Sequence, residues 1–265
     1  MDNNTSYLKQ GGLVLIAVAL GGFIADYLFN LGLTRILPPH SYGDYKIAYA
    51  FASIAGIAVL LGGDRAAPRY LSGWLEQKQS GAVAGYLLFF GRIAITTSLV
   101  ILVVVVVVMG LHLEPLDPER HHALVVAVIA VPLIGIGALL SRTLQSAKHL
   151  GMAALPWRVA FPLLKLALIV GAAWWVGTLH VYTIIVLAIV AILMVGGVQF
   201  GLILRLKLVG KPERFGGRDQ KEWLWLSMPM MVTLLVAMGL RQADLMMLEL
   251  LGAEHHVGYF AAAAT

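Results

Sequence analysis

Residues 100–110 read VILVVVVVVMG. In water a run of β-branched valines favours a strand. Two features oppose that here: no polar residue alternates with the apolar ones, and the apolar run extends from about residue 86 to 111. In lipid the backbone must satisfy its own hydrogen bonds, so a helix forms despite the branched side chains. The stretch therefore reads as a transmembrane helix, and the chain as an all-α membrane protein.

Working outward, a spanning helix needs about 20 mostly apolar residues. Seven segments qualify, at roughly 11–34, 45–63, 86–111, 122–142, 157–178, 181–204 and 223–249. An eighth begins near Val257 and meets the end of the sequence at Thr265. Composition agrees: 60% of the 265 residues are hydrophobic and 12% are charged, against about 25% charged in soluble domains. The mean hydropathy is +0.85. Lys9 and Ala17-Val18-Ala19 imitate a signal peptide, but only about four apolar residues precede that site, fewer than the roughly 7–15 required. The first helix reads as retained.

There is no cysteine, which excludes disulfides, thiolate catalysis and Cys-ligated zinc. The net charge of +5 is expected from basic loops on one side of a membrane. With an N-terminus in the cytoplasm, the inner segments hold Lys9, Arg65, Arg69, Lys78, Arg142, Lys148, Arg158, Arg205, Lys207, Lys211, Arg214, Arg218 and Lys221. The outer ones hold only Arg35, Lys46 and Arg120. This bias places the N-terminus inside. The basic run 205–221 is that orientation signal, able to touch anionic lipid. It lacks interleaved aromatics, so nucleic acid is not an expected partner.

A faint internal repeat sets residues 33–50 against 248–265, an offset of 215, with Gly43 facing Gly258 and Tyr45 facing Phe260. Helix 7 would then repeat helix 1, with six helices per half and both halves in the same orientation. The expected domains are a six-helix lobe (1–206), a basic cytoplasmic linker (207–222) and the start of a second lobe (223–265). The sequence thus reads as the N-terminal part of a chain of about 430 residues or more.

Several polar residues lie inside the spans. Asp26, Asn30 and Thr34 follow one another at i+4 spacing, on one helix face. A charge near the bilayer centre costs at least about 2.5–3.5 kcal/mol, so Asp26 must face protein or water. It is the candidate proton or sodium site, with Asn30 a candidate substrate contact, unless these residues only bond helix to helix. The repeat places Asp26 opposite Arg241, both about 6 Å to the outer side of the midplane. Arg241 either pairs locally with Asp244 at i+3 or offers its planar fork to an anionic group such as phosphate, with Asp244 joining the coupling site. Lys165 and Arg158, seven residues apart, either snorkel to the headgroups or line a cavity with positive charge. Pro132, Pro162 and Pro229 fall inside helices or near their starts, and in a membrane helix such kinks are tolerated. His121-His122 and His255-His256 sit in predicted outer loops without a third ligand; no metal and no cofactor is expected. No catalytic or phosphate-loop motif occurs, so an enzyme is not expected.

The stretches LTRILPPHSYGDYKIAYA (33–50) and LLGGDRAAPRYLSG (60–73) resemble the first two helices and inner loop of polysaccharide-export flippases. These form the oligosaccharide-lipid branch of the multidrug/oligosaccharidyl-lipid/polysaccharide exporter superfamily. Arg35, Pro38, the Tyr42-Gly43-x-Tyr45 turn, Gly63 and Arg69 carry the likeness. ADLMMLELLGAEHHVGYFAAA (243–263) is similar to that family's helix 7–8 junction, through Asp244, Gly258 and Tyr259. The resemblance implies one six-helix lobe of a two-lobe transporter of 12 or 14 helices. It implies a cell-membrane protein that moves polyprenyl-diphosphate-linked oligosaccharide to the outer leaflet by alternating access, with helices 1 and 7 lining the cavity. Arg241, Lys165 and Asn30 would then meet the substrate, and Asp26 and Asp244 would handle a coupling H+ or Na+. Two alternatives stand beside it: a cation-coupled drug exporter of the same fold, and a membrane-embedded glycosyltransferase or polymerase, for which the outer loops are short.

Overall fold

The computed structural model describes residues 2–111 and 118–250; within these, the side chains of 2–10, 109–111, 118–123, 241, 242, 244–246 and 248–250 are not described. The described residues form helices and no strand. They are α1 (Asp2–Ile36), α2 (Pro39–Ala58), α3 (Gly63–Glu76), α4 (Ser80–Leu111), α5 (Pro118–Ser146), α6 (Leu150–Val176), α7 (Val181–Arg205) and α8 (Gly217–Leu250). α6 carries one π-helical turn at Pro156–Ala160.

Six of these helices are long and apolar enough to cross a membrane, and seven spans result if α2 and α3, bent by 45°, count as one. The valine run is helical, and Val103, Val104, Val106, Val107 and Val108 point outward. Its fate follows from the solvent: an outward apolar face is stable only against lipid.

Two expectations are corrected. Residues 64–76, taken as inner loop because of their charges, form the amphipathic helix α3. Ala66, Ala67 and Leu71 are buried, while Arg65 and Arg69 lie on the opposite, exposed face. The break before it falls at Leu61 and Gly62, both with positive φ (48° and 82°). Residues 118–121, expected in an outer loop, already belong to α5; Pro118 opens it, as proline's fixed φ suits a first helical turn.

α5 is central, packing against α2, α3, α4, α6 and α7. The turns 77–79 and 147–149 and the 206–216 linker meet at one end of the bundle. Lys148 Nζ lies 3.1 Å from Glu76 Oε1, and the Gly210 N–H donates to the Ser80 carbonyl at 3.1 Å. The basic segments at 78, 148 and 205–214 therefore gather at one end. Trp174 and Trp175 are 93% and 91% exposed at the far end of α6. Trp225, 75% exposed near the start of α8, marks the basic end. Tryptophans at both ends of a spanning bundle fit the two membrane–water interfaces.

The linker is not a free tether. Besides the Gly210 bond, the Glu213 N–H donates to the Gly81 carbonyl at 3.0 Å. A Cβ added at Gly81 would lie 2.8 Å from the Lys211 carbonyl oxygen, and one at Gly85 2.5 Å from that of Glu213. Two glycines four residues apart on α4 thus let an extended backbone lie against the helix. Phe215 is anchored beyond them, with ring centroids 5.5 Å from Trp74 and 4.9 Å from Trp223.

Candidate polar cleft between the first, second and sixth helices

The site begins with a close helix pair. α1 and α6 run parallel: Gly11 faces Leu150, Gly22 faces Arg158 and Gly32 faces Leu166. A Cβ at Gly22 would stand 2.9 Å from the Arg158 carbonyl oxygen. Small residues allow this approach where lipid supplies no hydrophobic drive between helices.

α6 is irregular at that level. Pro156 and Pro162 flank the π turn, and the Phe161 N–H bonds the Pro156 carbonyl five residues back. Such turns recur at functional sites. This one is braced from α7. The Gln199 amide donates to the Ala153 carbonyl at 3.0 Å and to Ser141 Oγ at 3.0 Å, and accepts from Trp157 Nε1 at 2.6 Å. Gln199 is fully buried, and leaving such a group unpaired costs about 1–3 kcal/mol. The network therefore fixes the turn and the Trp157 ring.

Two cavities flank this turn. A polar cleft of about 420 Å³ lies between α1, α2 and α6 and is lined by Asp26, Arg158 and Lys165 among others. An apolar cavity of about 270 Å³ lies between α2, α5, α6 and α7, with Met238 of α8 also on its wall. Tyr49, Trp157, Phe161 and Lys165 border both, so Lys165 stands in the partition.

Lys165 is 2% exposed. Its Nζ lies 3.9 Å from the ring centroid of Phe29, 4.5 Å from Phe161 and 5.2 Å from Tyr49. The reading in which Lys165 snorkels to headgroups is overturned, because the three rings supply the partner that would otherwise be sought in water. Arg158 is exposed at the cleft. The Asp26 carboxylate makes no ion pair within 4 Å among the described residues.

Asn30 is buried outside the cleft lining. Its Nδ2 donates to the Asp26 carbonyl at 2.8 Å, and its Oδ1 accepts from the Tyr42 hydroxyl at 3.3 Å. It ties α1 to α2 directly behind Asp26. Thr34 turns back to the Leu31 carbonyl at 2.9 Å. The side chains of Arg241 and Asp244 lie outside the described residues, although α8 is helical there, about one and nearly two turns beyond Met238. The second half of the repeat, His255-His256 and the side chains of His121-His122 lie outside them too. Among the described residues no three His, Asp or Glu come together as a metal site.

Sequence reasoning missed the α2 face. Tyr42, Tyr45 and Tyr49 recur at helical spacing with Lys46 between them, a stripe that periodicity could have exposed. Lys46, expected in an outer segment, is inside α2, half-buried, with its Nζ 5.3 Å from the Tyr42 ring centroid. The Tyr45 hydroxyl is buried at the edge of the apolar cavity, with no hydrogen-bond partner among the described residues.

The sequence matches the family described as polysaccharide biosynthesis protein over residues 8–265. No curated protein and no solved structure matches it. The match takes in nearly every residue, and every residue lining the cleft lies within it, so this multi-pass membrane chain belongs to the polysaccharide biosynthesis protein family, a family of exporters.

Proposed function

We propose that the protein flips a polyprenyl-diphosphate-linked oligosaccharide across the cytoplasmic membrane, by alternating access coupled to H+ or Na+. One observation carries the reading: Asp26 and Lys165 line one polar cleft inside the spans of α1 and α6. A cation and a carboxylate on one cleft inside a membrane, with no ion pair to Asp26 among the described residues, are expensive to keep and are the kind of groups that serve a transport path.

In this reading Arg158 and Lys165 attract the diphosphate, and Asp26 takes up and releases the coupling ion. Arg241, about one turn beyond the cavity wall at Met238, and Asp244, nearly two turns beyond it, extend the set from α8. Substrate binding turns the transporter only if it differs between the inward and outward states. Lys165 offers such a difference, because leaving its aromatic box for a phosphate exchanges one partner for another. The basic end of the bundle, with its excess of Lys and Arg, faces the cytoplasm, as does the N-terminus. No covalent step and no cofactor enters the scheme.

A drug exporter of the same fold is the second reading, and the rings beside Asp26 favour it. Against it, those rings already hold an internal cation. The decisive experiment expresses Asp26→Asn, Lys165→Met and Arg241→Ala in cells lacking the native copy. Loss of surface polymer, with lipid-linked precursor accumulating at the cytoplasmic leaflet, is expected for each. Normal surface polymer from all three at native protein level overturns the reading, and restored drug resistance in a pump-deficient strain replaces it with the second.

A further inference from the structure

A second, separate amphipathic site lies on the flank of the bundle, on the far side of α5 from the cleft. An apolar groove of about 610 Å³ runs between α4, α5 and α7. Five of its lining residues are glycines, and at three of them, Gly91, Gly196 and Gly197, an added Cβ would meet nothing within 4 Å. Along α7 the groove extends from Ile192 to Leu204, about 18 Å at 1.5 Å per residue. Half of a hydrocarbon core of about 30 Å is about 15 Å, so the groove has the depth of one leaflet.

Over the same turns of α4 the groove joins, alongside it, a polar pocket of about 470 Å³, which shares Leu88 and Pro212 with it. Arg92 of α4 and Arg214 of the linker line that pocket, with Gln220 and one carboxylate, Glu213. The linker's backbone bonds to α4 hold Arg214 and Glu213 in place beside the helix. Two guanidinium groups against one carboxylate give the pocket a net positive charge. Basic pockets between membrane helices take anionic lipid headgroups, and the guanidinium fork suits phosphate.

We infer that the groove and pocket together form a binding site for one anionic phospholipid of the leaflet at the basic end, its acyl chain along Gly196 and Gly197 and its phosphate between Arg92 and Arg214. The inference is independent of the substrate reading above, because no residue of the Asp26–Lys165 cleft takes part. The site ties the linker to the bilayer, so that occupancy holds the strap on α4.

The test uses the purified full-length protein in detergent. Phosphatidylglycerol and phosphatidylcholine are titrated separately, with retained lipid read by native mass spectrometry and with melting temperature. Two double variants attack the two halves: Arg92→Gln with Arg214→Gln, and Gly196→Leu with Gly197→Leu. The native protein is expected to retain phosphatidylglycerol at least about tenfold more tightly than phosphatidylcholine, and both variants to lose that preference while remaining monodisperse. Equal retention of the two lipids by the native protein overturns the inference. So does an undiminished preference in either folded variant, or displacement of phosphatidylglycerol by equimolar undecaprenyl phosphate. If the α7 variant fails to fold, the arginine variant alone decides.

Discussion

The ammonium of Lys165 sits 3.9 Å from the ring centroid of Phe29, joining α6 to α1 at the level where Gly22 and Gly32 bring those helices together. A desolvated cation–π contact contributes about 2 kcal/mol. A buried charge can nevertheless be replaced by an apolar residue of similar volume with little loss, or a gain, in stability. Lys165→Met is therefore expected to melt at or above the native temperature while losing export. Lys165→Ala, which leaves a void, is expected to melt lower. A Met variant that melts well below the native protein would show that the box stabilises the fold rather than holding a functional charge.

Gly62 has φ +82°, and a Cβ there would strike the Ser227 carbonyl of α8. Gly62→Ala is expected to cost at least about 1–3 kcal/mol from backbone strain alone. Gly171→Ala on α6, where a Cβ meets nothing within 4 Å, serves as the neutral comparison. Thermal melting of the two variants in detergent should separate them clearly. Equal melting temperatures would mean that the α2–α3 break is not pinned by α8.

Gln199→Leu removes the acceptor of Trp157 Nε1 and the donor to the Ala153 carbonyl. The expected loss is about 1–3 kcal/mol for each buried group left unpaired. Gln199→Glu retains an acceptor for Trp157 and should melt above the leucine variant. If leucine is tolerated without change, the π turn does not depend on this brace.

Gly85→Leu should lift the linker from α4, because its Cβ alone would fall 2.5 Å from the Glu213 carbonyl oxygen. Trypsin should then cut after Arg214 faster in the variant than in the native protein; Lys211 precedes Pro212 and is not a cleavage site. Equal cleavage rates would show that the strap is already loose in solution.

Much of this was legible from periodicity and length. The long apolar runs became spanning helices because a bilayer leaves a backbone no other way to pair its polar groups. The α2–α3 bend was not legible as a helix pair, because Arg65 and Arg69 looked like loop charge while Ala66, Ala67 and Leu71 form a buried face. Asp26 and Lys165 were each identifiable as costly charges in a span. Their shared cleft was not, because it depends on α1 and α6, separated by more than a hundred residues, running parallel through glycine contacts. Lys46 escaped because the start of α2 could not be placed from hydropathy alone. The GAVAG stretch at 81–85 has the pattern that usually seats another helix; only the coordinates show that it seats the backbone of the linker.

That strap has a mechanical consequence. A loose tether would let α8 shift without disturbing the helices before it. Here the connection from α7 to α8 is bonded to the first turn of α4 and locked by Phe215 between Trp74 and Trp223. A displacement of α8 must either carry α4 and α3 with it or peel the strap away. The connector acts as a clutch, and its engagement decides whether the helices on its two sides move as one.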